Sequence, residues 1–161
     1  MDFEAFKLNP RIAASIKAMG DVEPTPIQAQ ALPAVLEGRD VMGRSQTGTG
    51  KTAVVVLPIL QRLIDRQRGP VRALVVAPTR ELAEQIHLAV IEMGRMTGVR
   101  SVTAYGGVGM EPQVRGLRNG ADIVVAGPRG NWVPAAPRRA CPAGAAKIYP
   151  LRSNRVLERS E

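Results

Sequence analysis

The sequence predicts an α/β domain in which a parallel sheet is flanked by helices. Three observations predict it. The segment Ser45-Gln46-Thr47-Gly48-Thr49-Gly50-Lys51-Thr52 ends in Gly-Lys-Thr ahead of a long apolar stretch, the pattern of a phosphate-binding loop that feeds a helix. Val71 to Ala77 and Asp122 to Ala126 are short, near-continuous apolar runs, suited to strands buried on both faces. Segments of helical character separate these runs, and that alternation builds parallel sheets.

In chain order, Asn9-Pro10 supplies a cap and a first-turn proline for a helix running to about Met19. Thr25-Pro26 repeats the device for a helix from Ile27 to Leu36, which Gly38 stops. Val41-Met42 predicts a short strand leading into the phosphate loop, placed centrally because that loop carries the phosphates. Gly50 to about Arg66 predicts a helix with a kink at Pro58. Val71 to Ala77 is the next strand, and Thr79 caps a helix to about Met96, with Met93 and Met96 in the core and His87 structural or solvated. Val99 to Tyr105 follows as a strand, Glu111-Pro112 opens a short helix ending near Asn119-Gly120, and Asp122 to Ala126 is the last strand. In such sheets ligands sit beyond the carboxyl ends of the strands. The phosphate loop, Pro78-Thr79-Arg80, Gly106-Gly107 and Gly127-Pro128 are therefore expected along one rim.

The loop has a chemistry of its own. The pattern G-x-x-x-x-G-K-[ST] is met except that Ser45 stands where the first glycine is usual. Gly48 and Gly50 let consecutive backbone N–H groups turn toward one anion, and the following helix adds its positive end. Lys51 offers a cation to the outer phosphates and Thr52 a hydroxyl to Mg²⁺. A surface turn that binds nothing rarely ends in Gly-Lys-Thr between two apolar segments.

Composition sets the bounds. A chain of 161 residues with 45% apolar residues is one domain with material for a core, packed by aliphatics because aromatics are only 3%. The acidic start Met1-Asp2-Phe3-Glu4 lacks the apolar region of a signal peptide, and no run approaches the roughly 18 apolar residues of a membrane span. The single cysteine, Cys141, forms no internal disulfide or zinc cluster. A cytoplasmic protein with no membrane partner is expected. The net charge of +8 is uneven: residues 1–126 hold 15 Lys and Arg against 12 Asp and Glu, whereas residues 127–161 hold 7 against 2. Basicity is thus weak evidence about the folded part.

Several segments then converge. Gly20-Asp21-Val22-Glu23-Pro24-Thr25-Pro26-Ile27-Gln28, the loop 45–52, Pro78-Thr79-Arg80-Glu81-Leu82-Ala83-Glu84-Gln85, Gly106-Gly107 and Asp122-Ile123-Val124-Val125-Ala126 resemble, in order and spacing, the Q motif, motif I, motif Ia, the double glycine and the strand entering motif Ib of DEAD-box ATP-dependent RNA helicases. The likeness covers about residues 3–126, with the Q motif region in residues 1–28. It implies an incomplete RecA-like P-loop NTPase domain. It also implies ATP and Mg²⁺ as cofactors, held by Phe3, Thr25, Gln28, Ser45, Gln46, Thr47, Gly48, Thr49, Gly50, Lys51 and Thr52. Of these, Lys51 and Thr52 would be catalytic and Thr52 the Mg²⁺ ligand. Phe3, 17 residues before Gly20, matches the aromatic that the family stacks on adenine. Gln28 with Thr25 would select the base, and an amide's paired donor and acceptor suit the adenine N6/N7 edge. Pro78, Thr79, Arg80, Gly106 and Gly107 would meet single-stranded or duplex RNA, mainly through its backbone, giving little sequence preference. Read alone, Gln28 is a helix-surface residue, Phe3 a core residue, Thr79 an N-cap and the double glycine a turn.

The pattern breaks after Ala126. Where the family has Ala-Thr-Pro-Gly-Arg, this chain has Ala126-Gly127-Pro128-Arg129-Gly130, and no Asp-Glu pair occurs anywhere, so the Asp-Glu-Ala-Asp motif is missing. Residues 127–161 hold five prolines, six arginines, the only Trp and the only Cys without persistent periodicity. They are expected to be a non-family tail, disordered or produced by a shifted reading frame. Hydrolysis needs carboxylates for the metal and the water, and an arginine that the family takes from a second domain. The expectation is therefore a helicase front half that binds ATP and RNA with negligible turnover. The alternatives are a non-catalytic ATP- or RNA-binding module and a non-functional truncation product.

Overall fold

The computed structural model describes residues 2–20, 23–44, 46, 48–65 and 71–127. Ser45, Thr47 and the expected tail beyond Gly127 lie outside the described residues. After a short 3-10 turn at Phe3–Phe6, the elements are α1 (Pro10–Met19), α2 (Pro26–Leu36), α3 (Lys51–Leu63), β1 (Ala73–Val76), α4 (Arg80–Met93), β2 (Ser101–Ala104), α5 (Met110–Arg118) and β3 (Ile123–Ala126). The helix starts follow local chemistry. Asn9 caps α1 by accepting from the Arg11 backbone, Pro26 occupies the first turn of α2, and Thr79 caps α4 by accepting from Leu82 N at 3.2 Å. Gly20 ends α1 in the left-handed region.

The three strands form one parallel sheet in the order β1-β3-β2, with Val76 and Ala104 both level with Ala126. The central strand β3 is buried along its whole length, as its uninterrupted Ile-Val-Val-Ala predicts. One face, carrying Ala73, Val75, Ile123 and Val125, joins Val56, Leu57 and Leu60 of α3, Ala83, Ile86 and Val90 of α4 and Ile12 and Ile16 of α1 in a single core. The other face is covered by α5, where Gly116 lets the helix close on Val102: an added Cβ would come within 2.7 Å of its side chain. That cover stops short of β1, where Val76 stays 41% exposed.

The amino ends of the strands share one clamp. Asp122, 1% exposed, accepts from Arg72 Nη2 at 2.6 Å and from Arg100 N at 3.0 Å, so a single carboxylate joins the residues that lead into all three strands. Backbone bonds from Arg72 N and Ala73 N to Asp122 O reinforce it.

Four expectations are corrected. Val41 and Met42 form no strand; they are 40% and 78% exposed. A strand exists through its ladder bonds, and two apolar residues with no pairing strand among the described residues cannot hold one. The helix expected to run to about Arg66 ends at Leu63, with Pro58 buried in its interior. The helix expected to reach Met96 ends at Met93, where Gly94 terminates it. Met96 is consequently 43% exposed, not core, while Met93 packs against the core as expected.

Candidate functional site

The phosphate loop is shaped by residues far back in the sequence. Gly48 and Gly50 have φ of +80° and +83°, conformations that a side chain disfavours. Gly50 then hands the chain to α3, whose first residue is Lys51 and whose amino end carries no side-chain cap. The partial positive charge of that helix end is therefore available to an anion. Lys51 Nζ donates to the Gln46 carbonyl, and Thr49 Oγ1 donates to the same oxygen at 2.9 Å, so the loop is folded back on itself. Thr52, half-buried, stands in the first turn of α3 beside Lys51.

The start of α2 is bonded to this loop. Thr25 Oγ1 donates to Thr49 O at 2.8 Å, and Gln28 Nε2 donates to Gly50 O at 3.1 Å. Gln28 Oε1 in turn accepts from Thr25 N at 2.9 Å, closing a small network between helix start and loop. Gln28 is thus 7% exposed, not a helix-surface glutamine. Its amide has two N–H groups and a two-lone-pair oxygen, so one donor and one acceptor site remain beyond these bonds. Glycine suits position 50 because an added Cβ would collide with Gln28 Nε2 and would push that amide aside. Phe3 is placed elsewhere: it is 8% exposed, lies in the core and meets Phe6 edge-on with ring centres 5.9 Å apart.

A second group gathers at the carboxyl ends of the strands. Parallel register brings Pro78-Thr79-Arg80 after β1, Gly106-Gly107 after β2 and Gly127 after β3 to one rim, as expected of these three segments. Pro78, Thr79, Arg80 and Gly107 are exposed. The Thr79 hydroxyl serves as the α4 cap. The Glu81 carboxylate is held below its ordinary pKa by its own backbone N–H and then by the Thr79 hydroxyl.

Tyr105, which sequence reasoning did not single out, connects these pieces. Its hydroxyl donates to Glu84 Oε1 of α4, and its ring lies 6.0 Å from Arg80 Cζ. That hydrogen bond, then burial, raises the phenol's pKa above its ordinary value. Gln113 Nε2 donates to the Tyr105 carbonyl at 3.1 Å, fixing the start of the glycine turn. The available signal was that Tyr105 is the sole aromatic between residues 7 and 131 and ends a strand directly before two glycines. His87, expected to be structural or solvated, bridges α4 to β2 through Nδ1 and Ser101 Oγ at 2.8 Å.

A family model for DEAD/DEAH box helicases matches residues 25–132. The chain belongs to that family. The DEAD-box chain is 45% identical over 128 residues to the DEAD-box ATP-dependent RNA helicase CshA of Streptococcus pneumoniae, covering 80% of this chain and 24% of that protein. It is 47% identical over 127 residues to the ATP-dependent RNA helicase DeaD of Buchnera aphidicola, covering 78% and 21%. Among solved structures it resembles the RNA helicase Prp28 of Chaetomium thermophilum bound to ADP, with a TM-score of 0.73, 39% identity and coverage of 79% and 32%. A hypothetical ATP-dependent RNA helicase from Sulfolobus tokodaii gives 0.66, 36% identity and coverage of 75% and 34%. These neighbours confirm a RecA-like helicase domain, of which the chain is a partial amino-terminal copy. It spans about a quarter of the length of the curated relatives it matches. The match extends six residues past the expected boundary at 126. No described helix is long and apolar enough to cross a membrane.

Proposed function

We propose that this DEAD-box chain is the nucleotide-binding front part of an ATP-dependent RNA helicase, binding ATP at residues 46–52 and RNA backbone along the strand-end rim. The observation that carries the reading is the bonding of Thr25 and Gln28 to Thr49 and Gly50. It ties a residue with spare amide valences to a loop shaped for an anion. A ligand with a hydrogen-bonding base at one end and phosphates at the other satisfies both, and adenine's N6/N7 pair matches the spare donor and acceptor of Gln28.

In this reading the phosphates replace the Gln46 carbonyl as partner of Lys51 Nζ and lie at the amino end of α3. Ser45 and Thr47 would complete the loop. Base recognition falls to Gln28 and Thr25, because a stacking role for Phe3 would require its ring to leave the core. The residues present fit Mg²⁺ only as a companion of the nucleotide: Thr52 offers one hydroxyl, and among the described residues no three carboxylate, histidine or cysteine groups cluster to hold a metal. When bound, Mg²⁺ would neutralise phosphate charge. Thr79, Arg80, Pro78, Gly106 and Gly107 would contact phosphate and sugar, which carry no sequence information. Turnover is not assigned to this chain, since no Asp-Glu pair occurs in it.

The test is a titration with a fluorescent ATP analogue, competed by ATP and by GTP. The parent should bind, ATP should compete better than GTP, and Lys51→Ala should lose at least about tenfold in affinity, the equivalent of one charge-assisted hydrogen bond. A folded parent that ignores both nucleotides, or a Lys51→Ala chain that binds equally well, refutes the assignment.

A further inference from the structure

We propose that Tyr105 and Gly107 form a seat for the Arg80 guanidinium and that Tyr105 is a positioning residue for RNA binding, acting through Arg80; the inference rests on the reading that Arg80 meets an RNA phosphate. Arginine side chains carry large rotamer freedom, and an exposed one spends most of it on binding a phosphate. Here that freedom is already restricted. Arg80 Cζ lies 6.0 Å from the Tyr105 ring centre, at the limit of a cation–π contact. The guanidinium also lies against Gly107, where an added Cβ would stand 2.5 Å from Nη2 and 2.7 Å from Nη1. The absent side chain at Gly107 thus makes room for Arg80 itself.

The seat is held in turn. Tyr105 donates to Glu84, one helical turn beyond Arg80 on α4, so the ring and the arginine are referenced to the same helix. Gln113 fixes the Tyr105 carbonyl, and Gly127 lets β3 approach: a Cβ there would lie 3.0 Å from Tyr105 Cβ. Residues from the ends of all three strands therefore converge on the placement of one cation. Arg80 would present its charge to phosphate from this seat, with less ordering left to do on binding.

Two measurements separate the seat from the RNA role. The first is the NMR resonance of the Arg80 side-chain Nε–Hε group in the full chain without RNA. The ring should shift it, and Tyr105→Leu should move it toward the position of an unstacked arginine, while Tyr105→Phe should leave it near that of the parent. The second is anisotropy of a labelled oligouridylate at low salt. Arg80→Ala should weaken binding, Tyr105→Leu should weaken it about two- to fivefold, the worth of an exposed cation–π contact, and Tyr105→Phe should restore it. In an Arg80→Ala background, Tyr105→Leu should add nothing. An unmoved Hε resonance overturns the seat whatever RNA does. A shifted resonance with RNA binding indifferent to Arg80→Ala refutes the RNA reading of Arg80 instead, and the positioning role with it. A further loss from Tyr105→Leu in the Arg80→Ala background shows that the ring acts directly. Should Tyr105→Leu fail to fold, Gly107→Ala tests the same seat, with the same two shifts expected and an unmoved Hε again decisive against it.

Discussion

Gly50 is the residue on which the proposed nucleotide site turns. Its φ of +83° places it where an L side chain is strained, and its missing Cβ is the space that the Gln28 amide fills. Gly50→Ala should therefore act twice, through roughly 1–2 kcal/mol of backbone strain and by pushing Gln28 off the Gly50 carbonyl. The expected result is a lower thermal midpoint together with at least about a tenfold loss of ATP-analogue affinity; unchanged affinity in a folded variant would show that the Gln28 contact is irrelevant to the ligand. The glycine-rich segment was legible because its residue types announce the anion. The contact with Gln28 was not, since no spacing rule says that a helix starting at residue 26 will lie against residue 50.

At the level of elements, the capped helices and the two fully apolar strands follow from local signals: Asn9-Pro10, Thr25-Pro26 and Thr79 each mark a start that the backbone needs because the first N–H groups of a helix lack partners. Val41-Met42 failed as a strand because a strand's stability lies in its neighbour, which a local pattern does not contain. The sheet's own neighbours are fixed at the amino ends by Asp122. Its carboxylate is 2% exposed and paired with an Arg72 side chain 14% exposed, so both charges have left water. Removing one strands the other. Arg72→Ala should cost about 3–5 kcal/mol of stability, read as a drop in the urea midpoint. A loss below about 1 kcal/mol, the usual worth of a surface pair, would show that water compensates Asp122 there. Asp122 was read from the sequence only as the first residue of a strand; its partners, 50 and 22 residues away, were invisible.

For the whole molecule, the decisive quantity is what a quarter of a helicase can do. In the proposed reading the nucleotide grip and the strand-end rim both lie within residues 3–127, whereas hydrolysis requires carboxylates that hold the metal and orient water. Phosphate release by this chain, with ATP, Mg²⁺ and RNA present, should not exceed the background of a Lys51→Ala control. Steady turnover above that control would mean that other groups supply the catalytic carboxylates, and the binding-only reading would fail. The exposure of Val76 on the second sheet face belongs to the same scale: among the described residues, α5 packs on β2 and leaves that end of β1 open.

Sequence alone determined that this chain belongs to a phosphate-loop helicase lineage, that its strands are parallel and that Thr79, Arg80 and the Gly106-Gly107 pair share the rim at their carboxyl ends. Those properties reside in short runs of residue types whose chemistry is local. The tertiary structure decided that Gln28 is wired into the loop, that Phe3 is core, that Val41-Met42 finds no pairing strand among the described residues and that Tyr105 and Gly107 both lie against Arg80. Each of these depends on which distant segments touch, and contact between residues far apart in the chain is fixed by the packing of the sheet and its helices.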